Sequence, residues 1–348
     1  MKGQLLIDRI DAYISLGICI TKGSYNNLVA FPAMKEPDKN DWPEEDGQEF
    51  DLSSPTLDTA EVSIEFAYIG SLGIGGLIDI LSDLSYHEFY FPLIGRSYKL
   101  RLSSQSNYVI NPGLEVAKFI FSNDFPREVD YEYQEPVNKL PMPKGYEIDD
   151  KDLSDYGVVV LQGSNAEILK APTVKKNLLQ NFKRQDGAIY DGEVVKFQTK
   201  EVSLKCLMRA GTIETFWRNR DALLYDLTKL STKTDNEGYE YSDAERIFYC
   251  DEWSESYPCY YKSCQTNDFM LNNGVWWEFT LKLVFTSFRI GETEFLLSSE
   301  AGEFIITEDG EFYILICYAI KEEKNIRTER SQRHERLLHY RLPSNQRS

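Results

Sequence analysis

Two stretches of the chain alternate polar and apolar residues in the same way. AEVSIEFAYI (60–69) and KEVSLKCLMR (200–209) put Val62, Ile64 and Phe66, and then Val202, Leu204 and Cys206, on one side of a period-two pattern. That is the signature of a strand with one buried face. Upstream of each lies a β-branched run closed by glycine, LGICITKG (16–23) and YGVVVLQGS (156–164), which predicts a strand running into a turn. Downstream the period changes to that of a helix. Leu77, Ile80, Leu81 and Leu84 share one helical face, and Phe216, Leu223, Leu227 and Leu230 share one on a longer, more charged segment. Strands then return, ending on LEVAKFIFS (114–122) and WEFTLKLVFTS (277–287). The chain is therefore expected to be mainly β: two tandem antiparallel sandwiches or barrels, each flanked by one helix.

The common order reflects a repeat. Displacing the chain by 140 residues brings Gly17 onto Gly157, Gly23-Ser24 onto Gly163-Ser164, Pro32 onto Pro172 and Lys35 onto Lys175. In the long polar loop, Trp42 falls on Phe182, Asp46-Gly47 on Asp186-Gly187, and Phe50-Asp51 on Tyr190-Asp191. Twelve of the fifty positions from Gly17 to Phe66 are identical without a gap. A tandem duplication is the economical explanation. The register is looser afterwards: HEFYFP (87–92) aligns with RIFYCD (246–251), so the second copy has gained residues around Lys233 to Glu245.

Residues 1–126 read as the first domain and 146–288 as its duplicate. Between them 127–145 is proline-rich, with Pro136, Pro141 and Pro143 just after Pro126, which predicts a linker without long helix or central strand. Beyond Phe288, FLLSSEAGE, FIITEDGE and FYILI make residues 289–318 a short β-hairpin module. Residues 319–348 form a basic, polar tail, expected as a frayed helix or disordered segment.

Charge narrows the function. The chain carries −18, while Lys321–Ser348 has eight Lys/Arg against four Asp/Glu, so the body before it carries −22. A body that acidic, with no basic cluster, does not bind nucleic acid tightly. No apolar run approaches a membrane span, and Asp8, Arg9 and Asp11 interrupt the start of the chain, so a soluble protein outside the ordinary secretion route is expected. The six cysteines form no CxxC pair, and Cys259 and Cys264 have no histidine nearby; free thiols are expected.

Candidate chemistry is sparse. Of three histidines, His334 and His339 lie in the tail, and His87 precedes a strand, where a surface or strand-edge place is expected. One body histidine excludes most triads and histidine metal sites. The glycines of IGSLGIGGLID (69–79) lack the Lys-Ser/Thr of a P-loop and a βαβ setting. The repeated acids Asp46/Asp186 and Asp51/Asp191 sit where Asp makes Asx turns, a structural task. TDNEGYEYSDAE (234–245) has calcium-like oxygen spacing without the EF-hand pattern. Adjacent Trp276 and Trp277 face opposite sides of a strand, so one is core rather than part of a sugar platform. No catalytic residue, cofactor or metal is expected.

The strand-and-helix order from Leu5 to Phe288, the loop PAMKEPDKNDWPEEDGQEFDL (32–52) and the terminal FLLSSEAGEFIITEDGEFYILI (295–316) together resemble the tail-tube-fold proteins of bacteriophage tails, in particular distal-tail and baseplate-hub components. The terminal string is similar to the LLxEDGxFLL strings near the ends of such proteins. The resemblance implies a structural role in the virion: a ring that continues the tail tube, contacts other tail proteins and lets DNA pass, made in the cytoplasm of the bacterial host. It implies no enzyme activity and no membrane. Two tube-like domains per chain imply a trimer with pseudo-six-fold symmetry; single-copy relatives form hexamers. The chain lacks a clear galectin-like carbohydrate domain. Trp42, Asp46, Gly47, Phe50, Phe182, Asp186, Gly187 and Tyr190 are the expected inter-subunit contacts, because a long loop present twice offers the same contact twice. A major tail tube protein and a carbohydrate-binding or adhesin-like β protein are the alternatives.

Overall fold

The structure is a computed structural model. It describes residues 3–21, 23–68, 74–111, 114–127, 131–175, 181–189, 195–234, 238–286, 292–296, 312–319 and 336–341. By contacts the chain divides into two compact units, Met1–Tyr249 with Pro258–Phe288, and Cys250–Tyr257 with Arg289–Ser348. The fold is mainly β and antiparallel.

In chain order the first half contributes β1 (Leu6–Ile7), β2 (Ile10–Asp11), α1 (Ala12–Leu16), β3 (Ile18–Ile20), α2 (Asn26–Val29), the small pair β4 (Lys39–Asn40) and β5 (Glu49–Phe50), β6 (Ala60–Tyr68), α3 (Gly75–Leu81), β7 (His87–Phe91), β8 (Arg96–Asn111) and β9 (Leu114–Asn123). The second contributes β10 (Tyr146–Ile148), β11 (Lys151–Asp152), a 3-10 turn (Leu153–Tyr156), β12 (Val158–Val160), α4 (Ser164–Leu169), β13 (Lys200–Ala210), α5 (Ile213–Thr228), β14 (Ser231–Thr234), β15 (Glu240–Asp243), β16 (Arg246–Cys250), β17 (Glu255–Met270) and β18 (Val275–Phe285).

Two seven-stranded sheets result, ordered β2-β1-β7-β8-β9-β6-β3 and β11-β10-β16-β17-β18-β13-β12. Strand for strand they correspond. Val62 opposes Phe121 in the first, and Val202 opposes Leu283 in the second. β8 pairs with β7 through its first residues and with β9 through the rest, so one strand serves both parts of a curled sheet. Two bulges, at Leu102/Ser104 and Gln105/Asn107, bend it. β17 carries the same two irregularities, at Tyr261/Ser263 and Thr266/Asp268.

The correspondence extends to side chains. The β1–β2 turn places Asp8 and Arg9 at positive φ, and the β10–β11 turn does so with Asp149 and Asp150, the backbone of a type I′ hairpin. The Asp8 carboxylate accepts from Glu88 N at 2.9 Å and meets His87 Nδ1 at 2.6 Å. The Asp149 carboxylate accepts from Ile247 N at 2.9 Å and from Arg246 Nη1 at 2.7 Å. Ser24 Oγ accepts from Glu65 N in the first half, and Ser164 Oγ from Lys205 N in the second. Asp11 caps α1 through Tyr13 N and Ile14 N; Asp152 caps the 3-10 turn through Ser154 N.

The alternating residues of the central strands face the core. Val62, Ile64 and Phe66 are buried with Phe89, Phe119 and Phe121; Val202, Leu204, Cys206 and Met208 are buried with Phe279, Leu281 and Leu283. Each such side chain contributes about 1.5–3 kcal/mol by burial. Trp277 is buried, while Trp276 is half-buried beneath the Arg209 guanidinium, 3.7 Å from its ring centre. Cys19, Cys206, Cys250 and Cys259 are free and buried, and Cys264 is free and half-buried. Burial pushes the thiols of Cys206 and Cys259 up, and that of Cys264 up to about 12.

Several sequence expectations need correction. His87 is 2% exposed rather than at the surface, because β7 runs between β1 and β8 and is no sheet edge. Leu84 and Leu230 are exposed and lie past the ends of their helices. Ser82 caps α3 by donating to Ile78 and Ile80 carbonyls, and α5 ends at an extended Lys229. In the region where the second copy has gained residues, Ser231–Thr234 and Glu240–Asp243 pair as β14 against β15. Lys233 Nζ lies 3.0 Å from Asp243 and 2.8 Å from Glu245, which neutralises part of its charge. No group of metal-ligating side chains occurs among the described residues.

In the second unit, β19 (Glu292–Leu296), β20 (Phe312–Ala319) and β21 (Arg336–Arg341) form a three-stranded antiparallel sheet. β21 lies in the basic tail, where a helix or disorder was expected. An unpaired strand edge on β20 would leave a row of backbone donors and acceptors open, and β21 fills it, pairing Leu337 with Ile316. FYILI falls in β20; FIITEDGE lies outside the described residues.

Candidate functional site

Proline spacing keeps residues 131–145 free of helix and strand until β10, and the segment is laid along α5. Val137 N donates to Asn219 Oδ1 at 2.8 Å, and Asn219 Nδ2 returns a bond to Val137 O at 3.1 Å and another to Tyr156 O at 3.1 Å. Tyr133 and Tyr156 hydroxyls both donate to Asp226 Oδ2, at 2.9 and 2.5 Å. Lys229 Nζ adds a bond to Asp226 Oδ1 at 2.8 Å. Burial, then the Asp226 carboxylate, pushes the Tyr156 hydroxyl well above the usual tyrosine range. Tyr133, Tyr156, Asp226 and Lys229 border a cavity of about 420 Å³ with Lys151 and Glu135. Lys151 is paired with Glu135 at 2.6 Å, so the cluster holds its charges in mutual contacts that fasten the segment to the helix. This was not legible from sequence, where Asp226 and Lys151 are ordinary surface-type residues.

The long loop of the first half is fastened to the second half of the same chain. Phe31 inserts against Tyr261, Trp277 and Phe279, all edge-on at 5.1–6.3 Å. Arg220 of α5 lies over the same ring and donates to Val29 O at 3.0 Å and Ala30 O at 2.6 Å. Tyr261 Oη donates to Pro32 O at 2.7 Å, and Met34 N to Lys262 O, the bulged residue of β17, at 2.9 Å. Trp217 Nε1 donates to Ile94 O at 2.6 Å.

Farther along the loop, Lys175, only 4% exposed, donates to Asp41 Oδ1 at 2.6 Å and Trp42 O at 2.8 Å. The Lys175 bond, with a second from Gln48, holds the Asp41 carboxyl below its usual range. Asp46 Oδ1 accepts from Phe197 N at 2.8 Å, and Gly47 N donates to Phe197 O at 2.8 Å, so two adjacent loop residues saturate one backbone position. Gly47 has φ +76°, and a Cβ there would come within 3.0 Å of Thr286 O. Phe50 packs on Tyr260 at 5.0 Å, and Leu52 O accepts from Ala244 N at 3.0 Å. Trp42 itself stays half exposed, at 51%.

The loop of the second half has the same internal turn. Gln185 N donates to Phe182 O at 3.1 Å, as Glu45 N does to Trp42 O at 3.2 Å. Gly187 has φ +80°. Phe182 is 49% exposed, and Asp186 and Gly187 are exposed. Tyr190 lies outside the described residues. Of the eight loop residues expected at contacts, Asp46, Gly47 and Phe50 are engaged within their own chain. Trp42 lends its backbone carbonyl there and keeps its ring outside. Phe182, Asp186 and Gly187 face solvent. Lys175 was visible as a repeat identity with Lys35; Phe197 was not, because it acts through its backbone, which leaves no residue signature.

No family model matches the chain, and no curated protein matches it. Among solved structures, the chain is similar to the SPP1 Dit (gp 19.1) protein, described as a paradigm of the hub adsorption apparatus in Gram-positive-infecting phages. The match is 12% identical, covers 81% of this chain and 97% of that chain, and has a TM-score of 0.28.

Proposed function

We propose that the protein is a structural component of a phage tail: a distal-tail or baseplate-hub ring that continues the tail tube and lets DNA pass. The carrying observation is that two corresponding seven-stranded sheets sit on one chain, the first docked through its long loop onto the second. That contact uses different surfaces on the two halves, and such heterologous contacts build rings when the rotation closes. Three chains of two halves make six near-equivalent positions, which matches a six-fold tube. The acidic body supports passage of DNA without retention, since like charge disfavours binding. Other tail proteins would meet the faces of the ring, and the protein would reside in the virion.

Light scattering combined with negative-stain imaging of the purified protein tests this. Trimers seen as six-lobed rings with a central hole are expected. A strict monomer at high concentration overturns the ring, and tight binding to duplex DNA at physiological salt overturns the conduit.

A further inference from the structure

The docking of the first loop has a counterpart that no described residue of the chain occupies. The surface that receives the first loop is built on a short ladder in the second half: Lys175 N donates to Lys196 O at 2.7 Å and Gln198 N to Thr173 O at 2.7 Å, around the bridge Val174–Phe197. The first half carries the same ladder 140 residues earlier. Lys35 N donates to Thr56 O at 2.9 Å and Asp58 N to Ala33 O at 2.8 Å, around the bridge Met34–Leu57. In the second half the ladder's lysine and its bridge residue hold the incoming loop. In the first half, Lys35 is exposed, and neither its ammonium nor the N–H and carbonyl of Leu57 has a hydrogen-bond partner among the described residues.

The matching plug is likewise unoccupied among the described residues. The Asp186 carboxylate, the Gly187 N–H and the Asn181 side chain have no partner among the described residues, while Gly187 already has the left-handed backbone of Gly47. One chain thus carries both a plug and a socket, and each is preformed in the geometry that its twin uses when occupied.

We propose that the occupant of the Lys35–Leu57 socket is the Asn181–Gly187 loop of a second copy of this chain. Asp186 accepts from Leu57 N, Gly187 donates to Leu57 O, and Lys35 reaches Phe182 O and Asn181 Oδ1. The lysine meets an amide where Lys175 meets a carboxylate, so the contact between chains is weaker than the one within a chain. The Phe31 anchor is missing from it as well, because Ala171 stands at that place in the repeat. The association is head-to-tail and therefore directional. The inference rests on the ring reading and specifies which surfaces close the ring.

The test uses two variants of the full chain. Asp186→Ala disables the plug and leaves the socket; Leu57→Pro removes the receiving N–H and leaves the bonds of Thr56 and Asp58 in place, with Lys35→Ala as a second socket variant should Leu57→Pro misfold. Each alone is expected to associate at least about tenfold more weakly than the unaltered chain in sedimentation, with unchanged melting of the monomer. Mixed together, plug-dead and socket-dead chains are expected to form a one-to-one heterodimer and stop there. Rings of the unaltered chain that persist in every variant overturn this interface and leave the ring reading standing. A monomeric unaltered chain overturns both.

Discussion

Asp41 and Lys175 tie the first loop to the second half, and the tie has a defined acid limit. The folded Asp41 carboxyl titrates below its unfolded value of about 4. Its contribution is therefore complete above that value and fades as pH falls through the lower, folded one. Hydrogen exchange across residues 41–47 is expected to accelerate as pH drops below about 4, beyond the intrinsic change, and Lys175→Ala is expected to remove this extra acid dependence. An identical profile in the variant would refute the assignment. Asp41 itself is half exposed, so the effect is local loosening rather than global unfolding. At this scale the Asp-Gly turn was legible because φ above zero at Gly47 and Gly187 demands a small residue. What the turn holds was not, because a backbone amide can belong to any residue type.

Among the elements, α5 does more than cover its sheet. Its Asn219 holds both backbone groups of Val137 and the Tyr156 carbonyl from a fully buried position. Asn219→Ala would take that partner from three backbone groups, of which the Tyr156 carbonyl is fully buried and the two of Val137 are half-buried. A loss of about 2–4 kcal/mol is expected in denaturant titration, with faster exchange of the Val137 amide. A smaller loss with unchanged exchange would mean that water replaces the side chain. The strands of both halves were legible because period-two alternation survives in each central strand. The helix ends were less so: Leu84 and Leu230 continue the apolar period past the points where Ser82 and Lys229 stop the helix. The anchoring role of α5 was hidden because Asn219, Arg220 and Asp226 are polar or charged residue types that usually stay in water, yet all three are buried.

For the whole molecule, the two compact units predict separable stability. Removing residues 336–348 takes β21 from the three-stranded sheet. The main unit is expected to keep its melting temperature, while protease resistance of 292–296 and 312–319 is lost, as a two-stranded remnant is marginal. A fall in the melting of the main unit would show that the sheets depend on this segment. The correspondence of the two seven-stranded sheets was legible in outline because residues 17–66 and 157–206 share their order of polar and apolar runs. The third sheet was not, since β21 comes from a basic stretch whose strand character depends on the edge it completes.

The paired halves also bear on counting. If rings close head-to-tail, each added chain brings two lobes at once, and a circle of five or seven lobes would leave half a chain hanging with an open plug or socket. A ring that is wrong by a single lobe is then ruled out by the covalent link between the two halves. Native mass spectra would rise only in steps of 40.3 kDa, every step an even number of lobes.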